Sequence, residues 1–519
     1  MIQFRKAILS LVFIPFCWTL AQQKGINQYN ILNFGAVNDS TVLSTQAINE
    51  AIRACTEHGG GRVVFPAGKY QSGTIFLKSN VELYLEAGAI LYGSKNPDDY
   101  PSQPRVKYRS LKDGLGWYSL IYAADQRNIA ISGLGTIDGR GKGRKGVNNG
   151  FGGDQNGRPR NILFITCKNV TVTGIEMRNA AMWNQHYLDC EDLIVDKIRV
   201  YNHCNGNNDG IDIDGCRRVT LSNSIIDSDD DGIVLKSTGT APCEDIAITN
   251  CVVSSQANAI KCGTESTAGF KNIAISNCVV KPTRSTEQPI VKIAKHGING
   301  ISLEVVDGGV MDGVTINNMM IHGTECPLYV RLANRARKHI TEAPEPPMGQ
   351  MRNIFISNIT AYETGNYCSS ITGVPAGKIE NIHLDNIHFY NKGGLVKGHF
   401  RDISKESTKS HDVVSAGDTD EYMATYSNVV EDEKGYPQPT VWRNLPSYGL
   451  FIRHVKDIYV TNSDFKSQAS EPRVPIIAVD VESLVMKNVG ATKTGNQPQV
   501  LLNSVSKSQI DKDLTVRKN

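Results

Sequence analysis

Three scarcities bound this chain before any motif is read. Aromatic residues are only 7% of its 519 residues, which argues against cores built on large rings. Neither sign of charge prevails: 55 Lys and Arg face 52 Asp and Glu, leaving +3, and no run of like charges stands out. The sequence therefore gives no global electrostatic case for a nucleic-acid or membrane-surface partner. Long hydrophobic runs are also missing. The one apolar stretch, Ala7 to Leu20, is too short for a confident membrane span. With Arg5 and Lys6 before it and Thr19-Leu20-Ala21 after it, residues 1–21 read as a signal peptide. Phe16 precedes Cys17 where a lipoprotein signal would carry Gly or Ala, so the expected product is a soluble, monomeric protein starting near Gln22, periplasmic or extracellular.

Glycine is abundant, at 47 residues, as suits many short strands and turns. A short unit recurs: a small or apolar residue, two polar ones, an alternating strand, then an Asn. It appears at Cys167-Lys-Asn-Val170, Cys190-Glu-Asp-Leu193, Cys216-Arg-Arg-Val219, Cys243-Glu-Asp-Ile246 and Phe270-Lys-Asn-Ile273, and continues through Met311, Met351, Ile379 and Val455. The steps from Cys190 to Phe270 are 26, 27 and 27 residues. Such a period with alternating strands signals a solenoid, because one unit cannot close a core but a stack buries a continuous column. Val219, Leu221, Ile246, Ile248, Ile273 and Ile275 alternate with polar neighbours and face inward. Asn223, Asn250 and Asn277 recur at a turn, where Asn accepts left-handed geometry and bonds to the Asn one coil away. The expected fold is all-β, a parallel β-helix spanning 22–519 as a single domain.

The cysteines obey the same register. Cys167, Cys190, Cys216 and Cys243 share a column with Phe270 and Met311, and Cys251 shares one with Cys278, so buried thiols are favoured over disulfides. Thr45 to His58 has an apolar stripe of Ala47, Ile48, Ala51, Ile52 and Cys55, ended by Gly59-Gly60-Gly61, and reads as an amphipathic helix capping the solenoid. Asp138 to Arg160 reads as a long polar loop. Arg401 to Pro446 reads as a polar excursion; both are long enough to shape a cleft.

Two successive units carry carboxylates in one strand motif, Asp209-Gly-Ile-Asp-Ile-Asp214 and Asp231-Gly-Ile-Val-Leu-Lys236. With the isoleucines inward, Asp212, Asp214 and Lys236 face outward, and Asp209 and Asp231 meet at the strand entries. Stacked strands lie about 4.8 Å apart, so Asp209, Asp230 and Asp231 fall in one patch. Like charges that close keep one carboxyl protonated, as a general acid requires. A lone Asp-Gly is usually a turn, but Asp229, Asp230 and Asp231 opposite Asp209 are harder to explain as turns, because they repel without an evident cation. The same register extends the patch to Asn258, Lys261, Glu304 and Arg331 on one side and to His186 and Trp183 on the other. These form the candidate substrate-binding set with Asp212 and Lys236. For several a plain role stands beside it: His186 as a satisfied coil-edge histidine, Trp183 as packing, Lys236 as a neutralising cation.

At this point the sequence resembles glycoside hydrolase family 28, the polygalacturonase family, in particular its bacterial exo-acting members. The resemblance rests on Asn33-Phe-Gly-Ala-Val-Asn-Asp39, Gly59-Gly-Gly-Arg-Val-Val-Phe-Pro-Ala-Gly68, Gly135-Thr-Ile-Asp-Gly139 and Arg158-Pro-Arg-Asn-Ile162, and covers about residues 30 to 400. It implies a right-handed β-helix that hydrolyses a glycosidic bond with inversion. The family's Asn-Thr-Asp motif matches Asn207-Asn208-Asp209, with Thr replaced, and its Asp-Asp pair matches Asp230-Asp231. It further implies Asp231 as general acid, Asp209 and Asp230 as the groups activating water, and a pectin-type polysaccharide or oligosaccharide as partner, with no metal or cofactor. Two motifs depart: Gly-His-Gly falls on Ala257-Asn258-Ala259, and Arg-Ile-Lys, which holds a substrate carboxylate, falls on Ser302-Leu303-Glu304. Galacturonic acid is the favoured terminal sugar, with a different sugar as the alternative. A polysaccharide lyase and a non-catalytic sugar-binding protein are the rivals from other classes.

Overall fold

The computed structural model describes residues 27–101, 103, 118–142, 158–285, 297–395, 429–442, 445–493 and 495–518. The stretch read as a signal peptide lies outside them. The chain winds into a right-handed parallel β-helix with three strands per coil. The first sheet takes Val170, Leu193, Val219, Ile246, Ile273, Val314, Ile354, Ile382, Ile458 and Leu484 into one register column. All ten are buried, so a single inward position stacks through most of the length. The second sheet stacks Met177, Val200, Ile226 and Val253. The third stacks Tyr187, Ile213, Leu235, Cys262, Leu303 and Val330. Towards the C-terminus the strands fuse across the corners, until Ser447–Ser467 pairs in all three sheets.

The Asn turn joins the first two sheets. Asn223, Asn250 and Asn277 sit at φ 52°, 55° and 55°, which Asn tolerates at little cost. Asn250 donates to Asn223 at 3.2 Å and Asn318 to Asn277 at 2.7 Å. Asn277 departs from the expected ladder, donating instead to the Thr249 hydroxyl at 3.3 Å.

The expected helix is present at Thr45–Glu57, with Ala47, Ile48, Ala51, Ile52 and Cys55 buried. It packs on the first strands of the stack. Gly60, at φ 111°, passes so close to the Asn80 carbonyl that a Cβ would collide. The eleven described cysteines are free thiols. Cys167, Cys190, Cys216 and Cys243 are buried, and Cys204 alone among those described is half-buried.

Each long-loop stretch is described only in part. Asp138 closes the strand Thr136–Asp138 and Arg160 opens Arg160–Ile165, while residues 143–157 lie outside the described set. Of Arg401 to Pro446, residues 401–428 and 443–444 lie outside it. Residues 429–442 are no solvated excursion: Val429 and Trp442, with Leu445, are buried against Cys326, Tyr329, Cys368 and Phe451 on the outer face of the third sheet. Apolar anchors only three to thirteen residues apart in an otherwise polar stretch escaped the period-based reading.

Candidate active site

The site grows from the corner between the second and third sheets. Ile211 pairs with Ile233 and both enter the core, so the residues two positions earlier, Asp209 and Asp231, stack at the strand mouths. Asn258 and Asn299 pair in the same register on the next coils. One oxygen from each of Asp209, Asp230 and Asp231 lies within 4.8 Å of the others. Asp209 and Asp231 are buried and Asp230 is half-buried. This is closer than the roughly 6.5–9.5 Å usual between inverting carboxylates, so spacing does not assign stereochemistry. Arg158, Lys236 and Lys261 act electrostatically on this patch, which already supplies counter-charge without a metal.

Burial, with Asp212 and Asp230 nearby, drives the Asp209 carboxyl well above the ordinary range. Burial and the neighbouring Asp231 push Asp230 up to about 6. Asp212, fully buried, is pushed up to about 8 by burial, against the pull of Lys236 and Arg160. The Asp230 carbonyl is fixed by the hydroxyls of Ser228 at 2.9 Å and Ser255 at 2.7 Å.

Asp231 is surrounded by donors. Its Oδ1 accepts the Asn258 backbone N–H at 3.1 Å and the Asn258 side-chain amide, and its Oδ2 accepts Lys261 Nζ at 3.1 Å. Asn299 donates to Asn258 Oδ1 at 2.6 Å, which turns the Asn258 amide nitrogen towards Asp231. Lys261 also meets Glu304 at 3.9 Å and the Tyr436 hydroxyl at 3.3 Å. Burial works against both lysines as cations, yet their carboxylate neighbours outweigh it: Asp231 and Glu304 for Lys261; Glu265, Asp212 and Asp209 for Lys236.

The substrate-binding set divides. Asp212, Lys236, Asn258, Lys261 and Glu304 all join the acid patch, though as buried partners of one another and not on an open face. Lys236 lies 3.6 Å from Asp212 and 3.4 Å from Glu265. Two further residues make the contacts of the plain roles set beside them, and a third is engaged elsewhere. His186, with no exposed surface, pairs through Nε2 with Asp214 at 3.1 Å. Trp183 has its ring edge-on to His186 and carries the cations of Arg160 and Lys236 over it at 5.0 and 4.8 Å. These contacts are those of a packed ring. Arg331 spends its guanidinium on the carbonyls of Gly373, Glu431 and Asp432 and lies over Trp442; it tethers residues 429–442 and is not presented to a ligand.

Three participants went unread in the sequence, and a fourth, Asn299, was read there only as a register position. Arg158 lies beside Asp209 and Asp230. Asn299 was visible in the repeat Asn258-Ala-Ile and Asn299-Gly-Ile. Glu265 meets Lys236 because the register slips between Leu235 and Ser237, where the strand Asn258–Ser266 inserts extra residues. Tyr436 comes from far along the chain and left no local signal.

A parallel β-helix bearing a patch of perturbed carboxylates has the parts of an acid–base hydrolase. A profile of the glycosyl hydrolases family 28 matches residues 55–389. The chain belongs to glycosyl hydrolase family 28. It is 27% identical over 216 residues to a probable polygalacturonase of Vitis vinifera, covering 40% of this chain and 44% of the relative. Over 251 residues it is 28% identical to an exo-poly-alpha-D-galacturonosidase of Dickeya chrysanthemi, covering 39% and 41%. The chain thus spans less than half the length of these curated relatives. The crystal structure of a hyperthermoactive exopolygalacturonase from Thermotoga maritima superposes with a TM-score of 0.58 at 24% identity, covering 70% of this chain and 87% of that one, a likeness of fold. Among the described residues no helix is long and apolar enough to cross a membrane.

Proposed function

We propose that this protein is an exported, exo-acting, inverting glycosidase that removes a terminal sugar, galacturonic acid by preference, from pectin-type saccharides. The observation that carries the chemistry is the convergence of Asp209, Asp230 and Asp231 within 4.8 Å. Names of the relatives, a polygalacturonase and an exo-poly-alpha-D-galacturonosidase, support the substrate class. Residues 429–442 pack on the outer face of the third sheet three to five coils beyond Asp231, with Tyr436 reaching back to Lys261 one coil beyond it; a segment bounding that end of the site supports exo action.

The resemblance gave the proton to Asp231; the hydrogen bonds favour a different assignment. A general acid needs a hydrogen to donate, and Asp231 accepts three donors. Asp230 is the half-buried member of the three, and burial and Asp231 push it up to about 6. Asp230 then protonates the glycosidic oxygen as the C–O bond breaks. A water held by Asp231 and Asp209 attacks the anomeric carbon from the other face, and a carboxylate takes its proton.

The test is incubation of the wild type and of Asp230→Asn with a panel of pectic oligosaccharides. Release of one saturated sugar by the wild type alone is the expected result. Unsaturated, ultraviolet-absorbing products would make the protein a lyase. No release from any galacturonate-containing substrate would overturn the sugar assignment.

A further inference from the structure

Lys261 is a buried cation, 1% exposed, whose neighbours are inside the protein. Asp231 lies at 3.1 Å, Glu304 at 3.9 Å and the Tyr436 hydroxyl at 3.3 Å. The Tyr436 hydroxyl also accepts from the Thr264 hydroxyl at 3.1 Å, and Ser302 donates to the other oxygen of Glu304 at 2.6 Å. Lys261 stands directly beside Ser302 in the sheet register, one coil nearer the acids than the Arg-Ile-Lys position that here reads Ser302-Leu303-Glu304. With two carboxylates and a phenol around one ammonium, little is left with which to bind a substrate carboxylate. The groups facing Asp231 are Asp209, Asp212, Asp230, Lys261, Glu304 and Tyr436, with Lys236 near Asp230. Among the described residues, Lys261 is the cation in direct contact with Asp231.

We propose that Lys261 is a positioning residue: clamped by Glu304 and Tyr436, it holds the Asp231 carboxyl in place as the water-activating group beside the proton donor Asp230. This rests on the hydrolytic reading above and deepens it. Glu304, in the place of a substrate-binding cation, then serves as the counter-anion that fixes the ammonium, and Tyr436 brings residues 429–442 into the catalytic arrangement. Arg331, tethering the same segment through the carbonyls of Glu431 and Asp432, acts through Tyr436.

The test compares kcat and KM for Lys261→Met, Lys261→Arg, Glu304→Gln and Tyr436→Phe. Lys261→Met is expected to lower kcat by about 100-fold, the scale of one lost electrostatic donor, with KM nearly unchanged. Glu304→Gln and Tyr436→Phe should lower kcat less, since each leaves the Lys261–Asp231 contact in place, and Lys261→Arg should restore part of kcat. Should Lys261→Met not fold, Glu304→Gln and Tyr436→Phe carry the test. An unchanged kcat with a raised KM on uronate substrates alone would overturn the proposal and make Lys261 a substrate ligand. A crystal structure of Lys261→Met needs no turnover. An Asp231 carboxyl that leaves its Asn258 donors in that variant supports the proposal even where no substrate is cleaved, and a carboxyl that stays on them overturns it.

Discussion

Two corners of the same coils make a natural contrast. At the corner between the first and second sheets, Asn223, Asn250, Asn277 and Asn318 stack at nearly one φ, 52–55°. At the corner before the third sheet, Asp209, Asp231, Asn258 and Asn299 stack just as regularly. An amide both donates and accepts, so a column of Asn satisfies itself with little help. A carboxylate column cannot, and the second corner must gather cations from other coils: Lys236, Lys261 and Arg158. Like geometry thus gives a neutral structural seam on one edge and a strained, reactive one on the other.

The contrast is broken most severely by neutralising an acid. Asp230→Asn should lower kcat by about 100- to 10,000-fold, the range of a lost general acid, with a normal unfolding transition. Steady-state kinetics beside a denaturant melt would show it.

Arg331→Ala should remove about 2–3 kcal/mol, the scale of a buried guanidinium's lost hydrogen bonds. It should also free residues 429–442 for proteolysis, as read by urea unfolding and limited digestion.

The acid corner should also make stability depend on pH. Asp212 and Asp230 are raised, to about 8 and about 6, so between roughly pH 4 and 8 the folded chain binds more protons at these sites than the unfolded one. Their contribution is complete below pH 4 and is lost as pH rises through those values. Tm should therefore fall from pH 5 to pH 8, and Asp212→Asn should flatten that fall. Activity should decline above about pH 6, as Asp230 loses its proton.

The gentlest change falls on the neutral corner. Asn250→Ala places a Cβ without a compensating amide at φ 55° and should cost about 1 kcal/mol, leaving kcat alone; Asn250→Gly should cost less. A pH dependence in the Asn250→Ala loss would contradict the division between the corners.

Much of this was legible because a solenoid repeats its information. Each coil restates the inward column, so Val219, Ile246 and Ile273 fix one another's register and that register carries Asp209, Asp230, Asp231, Lys261 and Glu304 to one place. The same rule said where His186, Trp183 and Arg331 stand but not what they touch. Outward residues of the third sheet read as surface, yet His186 pairs with Asp214, Trp183 lies under two cations, and Arg331 holds distant backbone.

By itself, the sequence determined the period, the inward columns, the Asn turn, the capping helix and the stacking of the acids, since all are local and recur every coil. Only the tertiary structure decided that the outer face of the third sheet is buried, that Glu265 reaches Lys236 across a register slip, and that Tyr436 sits on Lys261, 175 residues apart in sequence. Those contacts depend on how a non-repeating segment returns to the stack. Its anchors, Val429, Trp442 and Leu445, are fixed by the shape of the surface they meet and by no spacing of their own.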